Sequence, residues 1–476
     1  MISPFTSHII RKTTKTMSLA RHTPAFSLTA ILLLLIAATP CHAENELIIV
    51  SPHWEGVREE FGHAFERDYQ SRTGHPIKVR WRDLGGTSQI EKVIDASFKA
   101  TPGSAQVDIF FGGGLDPYES QKAKGHLDSC RLPEEILKNI PPSVGGFPII
   151  DPDYTFYGAA LSSFGILENK RVVALTGLPA VSTWEDLCRP ELMGWVSSSD
   201  PRKSGAIHMI YEIILQAYGW EKGWAVIYQM SGNVRSFLQN SSAPTKEVST
   251  GDAAYAITID INGMTQQAWL GKENVEFKIP PGLSVINPDC IALLKGAPNP
   301  DAARDFIAFV MSEKGQSLWM KPTGSPGGPA KFNISRMGVW PSFYEQDLGG
   351  LLVPLNPFKI NYPFRYQTIK GAKRWGVLND LIGQSIIDVH SRLRSAWQAL
   401  CRVPENKRGP LLKKFSEPLV SEAEAAEFSN FWREDPVRAR RLANDWMERA
   451  VDRYCTIEKE AKKLSADSSR LSAIKQ

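Results

Sequence analysis

The chain has 476 residues, 42% of them hydrophobic and 22% charged, with 55 Lys and Arg against 51 Asp and Glu. Such a make-up excludes wholesale disorder and a multi-span membrane protein, and the length suits two or three domains. The longest apolar run, Ala25 to Ala38 (AFSLTAILLLLIAA), follows Arg11, Lys12, Lys15 and Arg21 and precedes Cys41-His42-Ala43. A basic start, a short apolar stretch and a small residue at the cut predict a signal peptide over 1–43, cleaved after Ala43, and hence a periplasmic protein. An uncleaved anchor is the competing reading, and Pro40 argues against a lipid on Cys41. Removing 1–43 leaves 51 basic and 51 acidic residues, so charge gives no argument for nucleic acid or an acidic membrane surface. The five later cysteines, Cys130, Cys188, Cys290, Cys401 and Cys455, form no CxxC or Cys/His cluster, which argues against structural zinc. In an oxidising compartment Cys401 with Cys455 is the first pairing to test.

The mature chain opens on Glu46 to Ser51 (ELIIVS), which reads as a buried parallel strand. Val57, Phe61, Phe65 and Tyr69 then recur every four residues, the stripe of a helix that covers a sheet. A strand at Ile77 to Trp81 leads into Gly85-Gly86-Thr87-Ser88 and a helix carrying Ile90, Val93, Ile94 and Phe98. A third strand, Val107 to Phe111, ends in Gly112-Gly113-Gly114. Right-handed βαβ crossovers place all three post-strand loops on one rim, where ligands of open α/β sheets sit. Ser51, His53, Gly86, Thr87, Ser88 and Gly113 are therefore candidates for a cleft, although His53 could be an ordinary hydrogen-bonded loop residue. The glycines either permit a tight turn or bring bare backbone close to a ligand.

Leu127 to Pro152 reads as surface connection, and Tyr157 to Leu167 (YGAALSSFGIL) as an extended strand. Trp195 to Ser198 is a further strand, followed by Asp200 to Tyr211 (DPRKSGAIHMIY), a polar turn that runs straight into an apolar helix. Free backbone N–H groups at such a helix start can hold an anion, or Asp200 or Ser204 can merely cap it. Asn240 and the strand Ala254 to Asp260 continue this part, that strand carrying the chain back across a hinge. Asp289 to Leu294 is one more strand, and Asp301 caps a helix over 302–311. After an irregular, proline-rich 344–370 comes a helical segment, 371–476. It carries a stripe of Trp375, Leu378, Ile382 and Ile386, capping-box spacing at Ser421 to Glu424, and Asp435-Pro436 ahead of a long helix. With 20 basic and 15 acidic residues it is mildly positive, and it packs on its own chain or on a partner.

Taken in order, the Asp200 turn, GWEKGWAVIYQMSGNVRSFLQNSS, VSTGDAAYAITID and PNPDAARDFIAFVMSEKGQSLW resemble the periplasmic solute-binding proteins of ABC importers. The ferric-ion and sugar-phosphate branch is the one they resemble most. The resemblance implies an α/β, type II periplasmic-binding-protein fold: two doubly wound lobes joined by a double-strand hinge, with the helical extension added. Lobe 1 is then 44–156 and 285–343, and lobe 2 is 157–284. It also implies a small anionic ligand, a phosphorylated one among the candidates, and an inner-membrane ABC permease as partner, with no cofactor and a monomeric chain.

In ferric-binding relatives a Ser-Gly-Ala turn holds the anion of the iron shell, which carries over to Ser204, Gly205 and Ala206. The tyrosine pair that binds their iron is replaced here by Asp260-Ile261-Asn262, and the loop at Gly85 to Ile90 has no carboxylate. Hard ferric iron is then poorly served, and an organic anion fits better. Asn240 and Asp260 complete the candidate ligand set. A co-receptor for a sensor kinase keeps the fold and changes the partner. An enzyme with Asp260 and His53 as an acid–base pair is the third reading, though no GxSxG, HExxH or P-loop is present.

Overall fold

The computed structural model describes residues 45–474 apart from 346, 347, 354, 361 and 362, with side chains described to 466. The expected signal peptide lies outside the described residues. Among those described, no helix is long and apolar enough to cross a membrane.

The chain begins β1 (Asn45–Val50), α1 (Glu55–Thr73), β2 (Ile77–Arg82), α2 (Thr87–Ala100), β3 (Ile109–Phe111) and α3 (Leu115–Ala123). β1 and β3 pair in parallel, as right-handed crossovers require, and Val57, Phe61 and Phe65 of α1 are buried on the sheet. Val93 of the expected α2 stripe is instead 40% exposed, because Ile90, Ile94 and Phe98 alone fill the inward face. β4 (Leu127–Asp128), α4 (Glu134–Leu137) and the hairpin of β5 (Ser143–Val144) and β6 (Phe147–Pro148) follow. Residues 127–152 are thus more than surface connection: Ile136, Ile140, Val144, Phe147 and Ile149 are all buried, anchoring the segment to the core.

β7 (Tyr157–Asn169) is buried along all 13 residues and belongs to both halves of the molecule. Its first half pairs antiparallel with β12 (Ile286–Leu294), and its second half pairs with β10 (Tyr255–Ile259) and β11 (Val275–Lys278). Between them lie α5 (Lys170–Thr176), β8 (Val196–Ser199), α6 (Gly205–Tyr218), α7 (Trp220–Asn233), β9 (Val234–Leu238), α8 (Ala243–Thr250) and α9 (Asp260–Leu270). The sheet order is β2-β1-β3-β12-β7-β10-β8-β9, two wound halves sharing β7 and β12. The return crossing is therefore made by β12. β10 does not cross: it is a five-residue strand of the second lobe that turns directly into α9.

α10 (Pro300–Met311) and α11 (Glu313–Met320) return to the first lobe. Asn299 occupies the N-cap of α10, with Asp301 within the first turn, where its charge favours the helix dipole without capping it. The extension comprises α12 (Thr368–Ile382), a π-turn at Gly383–Ile387, α13 (His390–Cys401), α14 (Glu405–Ser416), α15 (Glu422–Ser429) and α16 (Pro436–Ile474). Trp375, Leu378, Ile382 and Ile386 are buried as the stripe predicts. The Ser421–Glu424 capping box is formed, and Asp435 accepts from Arg438 N at 2.9 Å. All five described cysteines are free thiols, so Cys401 and Cys455 are not paired: Cys401 is half-buried and Cys455 is exposed.

Candidate functional site

A cavity of about 470 Å³ lies between the two lobes. Its wall is built largely from helix starts. Trp54, Gly86, Gly114, Ser204, Ser242 and Ile259 are the N-cap residues of α1, α2, α3, α6, α8 and α9, and all six line it. A helix start carries the positive end of the helix dipole and, where its first N–H groups are not capped, free donors. No protein acceptor is found for the backbone amides of Thr87, Ser88, Gly205 and Ala206 among the described residues. The Thr87 hydroxyl is likewise without a partner there. Arg58 and Lys203 add positive charge at the rim, Arg58 in contact with Asp83 at 3.2 Å and Lys203 bonded to Gln239.

Of the residues expected at the site, His53, Gly86, Thr87, Gly113, Ser204, Gly205, Ala206 and Asn240 line the cavity. Both readings of Ser204 are compatible. Its Oγ accepts from Ile207 N at 3.3 Å as the cap of α6, which leaves its hydroxyl proton to donate elsewhere. Asn240 also serves as a turn residue, its Oδ1 accepting from Ala243 N at 2.9 Å. The glycine turn does both of its jobs: Gly112 and Gly113 have φ of 107° and 97°, and side chains there would strike His53 and Thr87.

Ser51, Ser88 and Asp260 do not line the cavity. Ser51 sits behind His53, with Oγ 3.0 Å from Nδ1. Ser88 Oγ donates to Pro201 O at 3.3 Å, tying α2 to the other lobe. Asp260 turns inward and accepts from Ser163 N and Oγ at 2.6 and 3.1 Å, and burial lifts its pKa to about 6. Its other oxygen accepts from Ile261 N at 2.7 Å, so both carboxyl oxygens are engaged behind the cavity wall.

Beneath the cavity lies a buried polar cluster. His53 Nε2 is 2.7 Å from Asp289 Oδ2, Asp289 Oδ1 accepts from Gly113 N, and Arg336 bonds Ser162 Oγ at 2.7 Å and contacts Asp289. Burial, then Arg336 and Arg58, hold the His53 pKa well below its usual value, so a neutral imidazole donating from Nε2 fits this network. Burial draws Arg336 down to about 10, with Asp260 pulling the other way, and it stays charged at neutral pH. Asp116, also at the wall, accepts from Tyr366 Oη at 2.5 Å; burial raises its pKa well above the carboxylate range. Among the described residues no three His, Cys, Asp or Glu side chains are grouped to hold a metal ion.

Residues 105–336 match the bacterial extracellular solute-binding protein family. The fold is that of the type II periplasmic binding proteins, and the family match covers just under half of the chain. Among curated proteins, the chain is 25% identical over 340 residues to the phosphoglycerate transport regulatory protein PgtC of Salmonella typhimurium. That match covers 71% of this chain and 77% of PgtC. Among solved structures it resembles AfuA of Actinobacillus pleuropneumoniae, a periplasmic binding protein with fructose-6-phosphate bound. The TM-score is 0.57 at 19% identity, over 74% of this chain and 97% of AfuA. Apo ferric ion-binding protein A of Pasteurella haemolytica gives 0.54 at 17% identity, over 71% and 96%. About a quarter of this chain thus lies outside the likeness to AfuA.

Sequence reasoning missed Arg58, Lys203, Asn262, Asn287, Asp289, Arg336 and Trp375, all of which line the cavity. Lys203 was within reach of inference, since it stands directly before the Ser-Gly-Ala turn. Asp289, Arg336 and Trp375 come from strands, loops and helices far along the chain, and no local pattern marks them.

Proposed function

We propose that this protein captures a small phosphorylated anion between its lobes and passes it to an inner-membrane ABC permease, after export by a cleaved signal peptide. The carrying observation is the convergence of six helix starts on one cavity, with unpartnered amides at two of them, one on each lobe. A phosphoryl group offers several strong acceptors to donors that come from both sides, so it is held only when the lobes are together. The neighbouring names agree in chemistry, one being a phosphoglycerate transport protein and one holding fructose-6-phosphate. Calorimetry with 3-phosphoglycerate and fructose 6-phosphate, against glycerate, fructose and ferric ion, tests this reading. Heat of binding from at least one phosphorylated compound and none from its unphosphorylated form is expected; binding of ferric ion alone overturns it.

The hydroxyl of Ser204 gives a second check. Losing a hydrogen bond to a charged group costs about 1.5 to 3 kcal/mol, so Ser204→Ala is expected to weaken binding about tenfold to a hundredfold. The lost cap should also lower stability by about 1 kcal/mol, read from urea unfolding. A second reading rests on the word "regulatory" in the name of PgtC: the loaded protein is read by a sensor as well as a permease. Co-purification with membranes carrying a sensor kinase, dependent on ligand, would favour it.

A further inference from the structure

Two buried side chains at the start of α3 keep hydrogen-bonding capacity that the protein does not use, and both line the cavity. They are Asp116 and Asn287, each 1% exposed. Asn287, on β12, sits against the N-cap of α3: its Oδ1 accepts from Leu115 N at 3.2 Å, and its Nδ2 would lie 2.9 Å from a Cβ on Gly114. Nδ2 carries two protons, and Met209 Sδ at 3.5 Å, a weak acceptor, takes one of them. Asp116 follows Leu115 directly. Its Oδ2 accepts from Tyr366 Oη at 2.5 Å, and Gly371 leaves room for that bond, since a Cβ there would lie 2.3 Å from the same oxygen. Its Oδ1 is buried and has no partner among the described residues.

A buried polar atom left unpaired opposes folding, and at a cavity wall it is paired once a ligand group of the right kind arrives. Burial, with Tyr366 opposing it, pushes the Asp116 carboxyl well above the carboxylate range, which favours the uncharged form and lessens its repulsion of an anion. Asn287 Nδ2 can only give a proton, whereas Asp116 Oδ1 takes one when the carboxyl is ionised and can give one when it is neutral. A hydroxyl suits the pair in either state, having lone pairs to receive and a proton to give. A hydrocarbon suits neither group.

We propose that Asp116 and Asn287 form a hydroxyl-reading subsite, so that the ligand is a phosphate ester with a hydroxyl-bearing carbon skeleton, a sugar phosphate or a phosphorylated hydroxy acid. The subsite rests on the phosphate reading above and narrows it: the helix starts hold the phosphoryl group, and this corner selects what is attached to it. Simple alkyl phosphates are then discriminated against, because they leave both groups unpaired.

Calorimetry of the full chain with 3-phosphoglycerate, fructose 6-phosphate and ethyl phosphate, which has no hydroxyl, tests the subsite. Wild type should bind the better of the two hydroxylated esters about tenfold or more tighter than ethyl phosphate. Asp116→Ala and Asn287→Ala should each weaken that ester about five- to tenfold and leave ethyl phosphate within about twofold, so that the ratio collapses. Asp116→Asn keeps an acceptor for Tyr366 and a polar group at the wall, and should retain most of the ratio. The wild-type comparison needs no variant, so it decides even where an alanine change costs the fold. Equal wild-type affinities, a ratio unmoved in both alanine variants, or a loss of both affinities together overturns the subsite and leaves the phosphate reading standing. No binding of any of the three esters overturns the phosphate reading, and the subsite with it.

Discussion

Gly86→Ala is expected to weaken binding of the phosphorylated ligand about a hundredfold or more, a loss of roughly 2.7 kcal/mol or more, while sparing the fold. Gly86 has φ of −75°, so alanine meets no backbone strain there. What it meets is the other lobe: a Cβ at Gly86 would lie 2.1 Å from Lys203 O. A backbone oxygen cannot swing away, so the lobes must stay apart and the amides of α2 and α6 no longer converge on one anion. Gly74→Ala is the matching control, with φ of 76° and no neighbour within 4 Å. It should cost about 1 kcal/mol of stability through strain alone and leave affinity unchanged. Calorimetry on both variants, beside their ligand-free melting curves, separates close approach from strain. Equal affinities for Gly86→Ala and wild type would mean that the lobes do not need to meet there.

Arg336→Ala should be the most damaging change to stability among the cavity residues. Its guanidinium is 4% exposed and engages Asp289, Ser162 and, at 3.3 Å, the His53 ring. Deleting one member of a buried charge network strands the others, which typically costs about 3 to 5 kcal/mol. Lysine keeps the charge and loses the planar fork, so Arg336→Lys should fall between. Urea unfolding midpoints give the order. A loss below about 1 kcal/mol for Arg336→Ala would show that water already serves the cluster.

His208 sets a pH dependence whose sign follows from its burial. Its pKa is drawn down to about 4 by burial, Glu212 opposing. The unfolded chain takes up a proton below about pH 6.5 that the folded chain refuses until about 4, so this stability is lost as pH falls through that window. At pH 4.5 the loss is about 2 to 3 kcal/mol relative to pH 7. Asp260, raised to about 6, acts in the opposite sense. Comparing wild type with His208→Gln at pH 7 and 4.5 isolates the histidine: the variant's midpoint should fall less.

The sequence made the architecture legible because its signals are local. The four-residue stripe of α1, the strand–glycine–helix repeats and the Ser-Gly-Ala turn each declare an element within one turn or strand. Where they failed, the deciding contact was distant. β10 is a good strand by composition, yet crossing was assigned to it wrongly because only pairing with β7 and β8 shows that it stays in one lobe. The Ser88 hydroxyl is engaged by groups far along the chain, donating to Pro201 O and accepting from Trp375 Nε1, 287 residues away, which leaves its amide toward the cavity. Asp301 suited a cap by type, and Asn299 holds the place because Pro300 starts the helix. The buried cluster under the cavity has no sequence signature, since His53, Asp289 and Arg336 are joined only by the fold.

Native mass spectrometry of the protein taken gently from its own periplasm tests the central claim most directly. A mass above that of the bare chain, released on activation as a small molecule that fragments to phosphate, is the predicted result. A bare chain throughout, or an added mass that is iron without an organic phosphate, would contradict it.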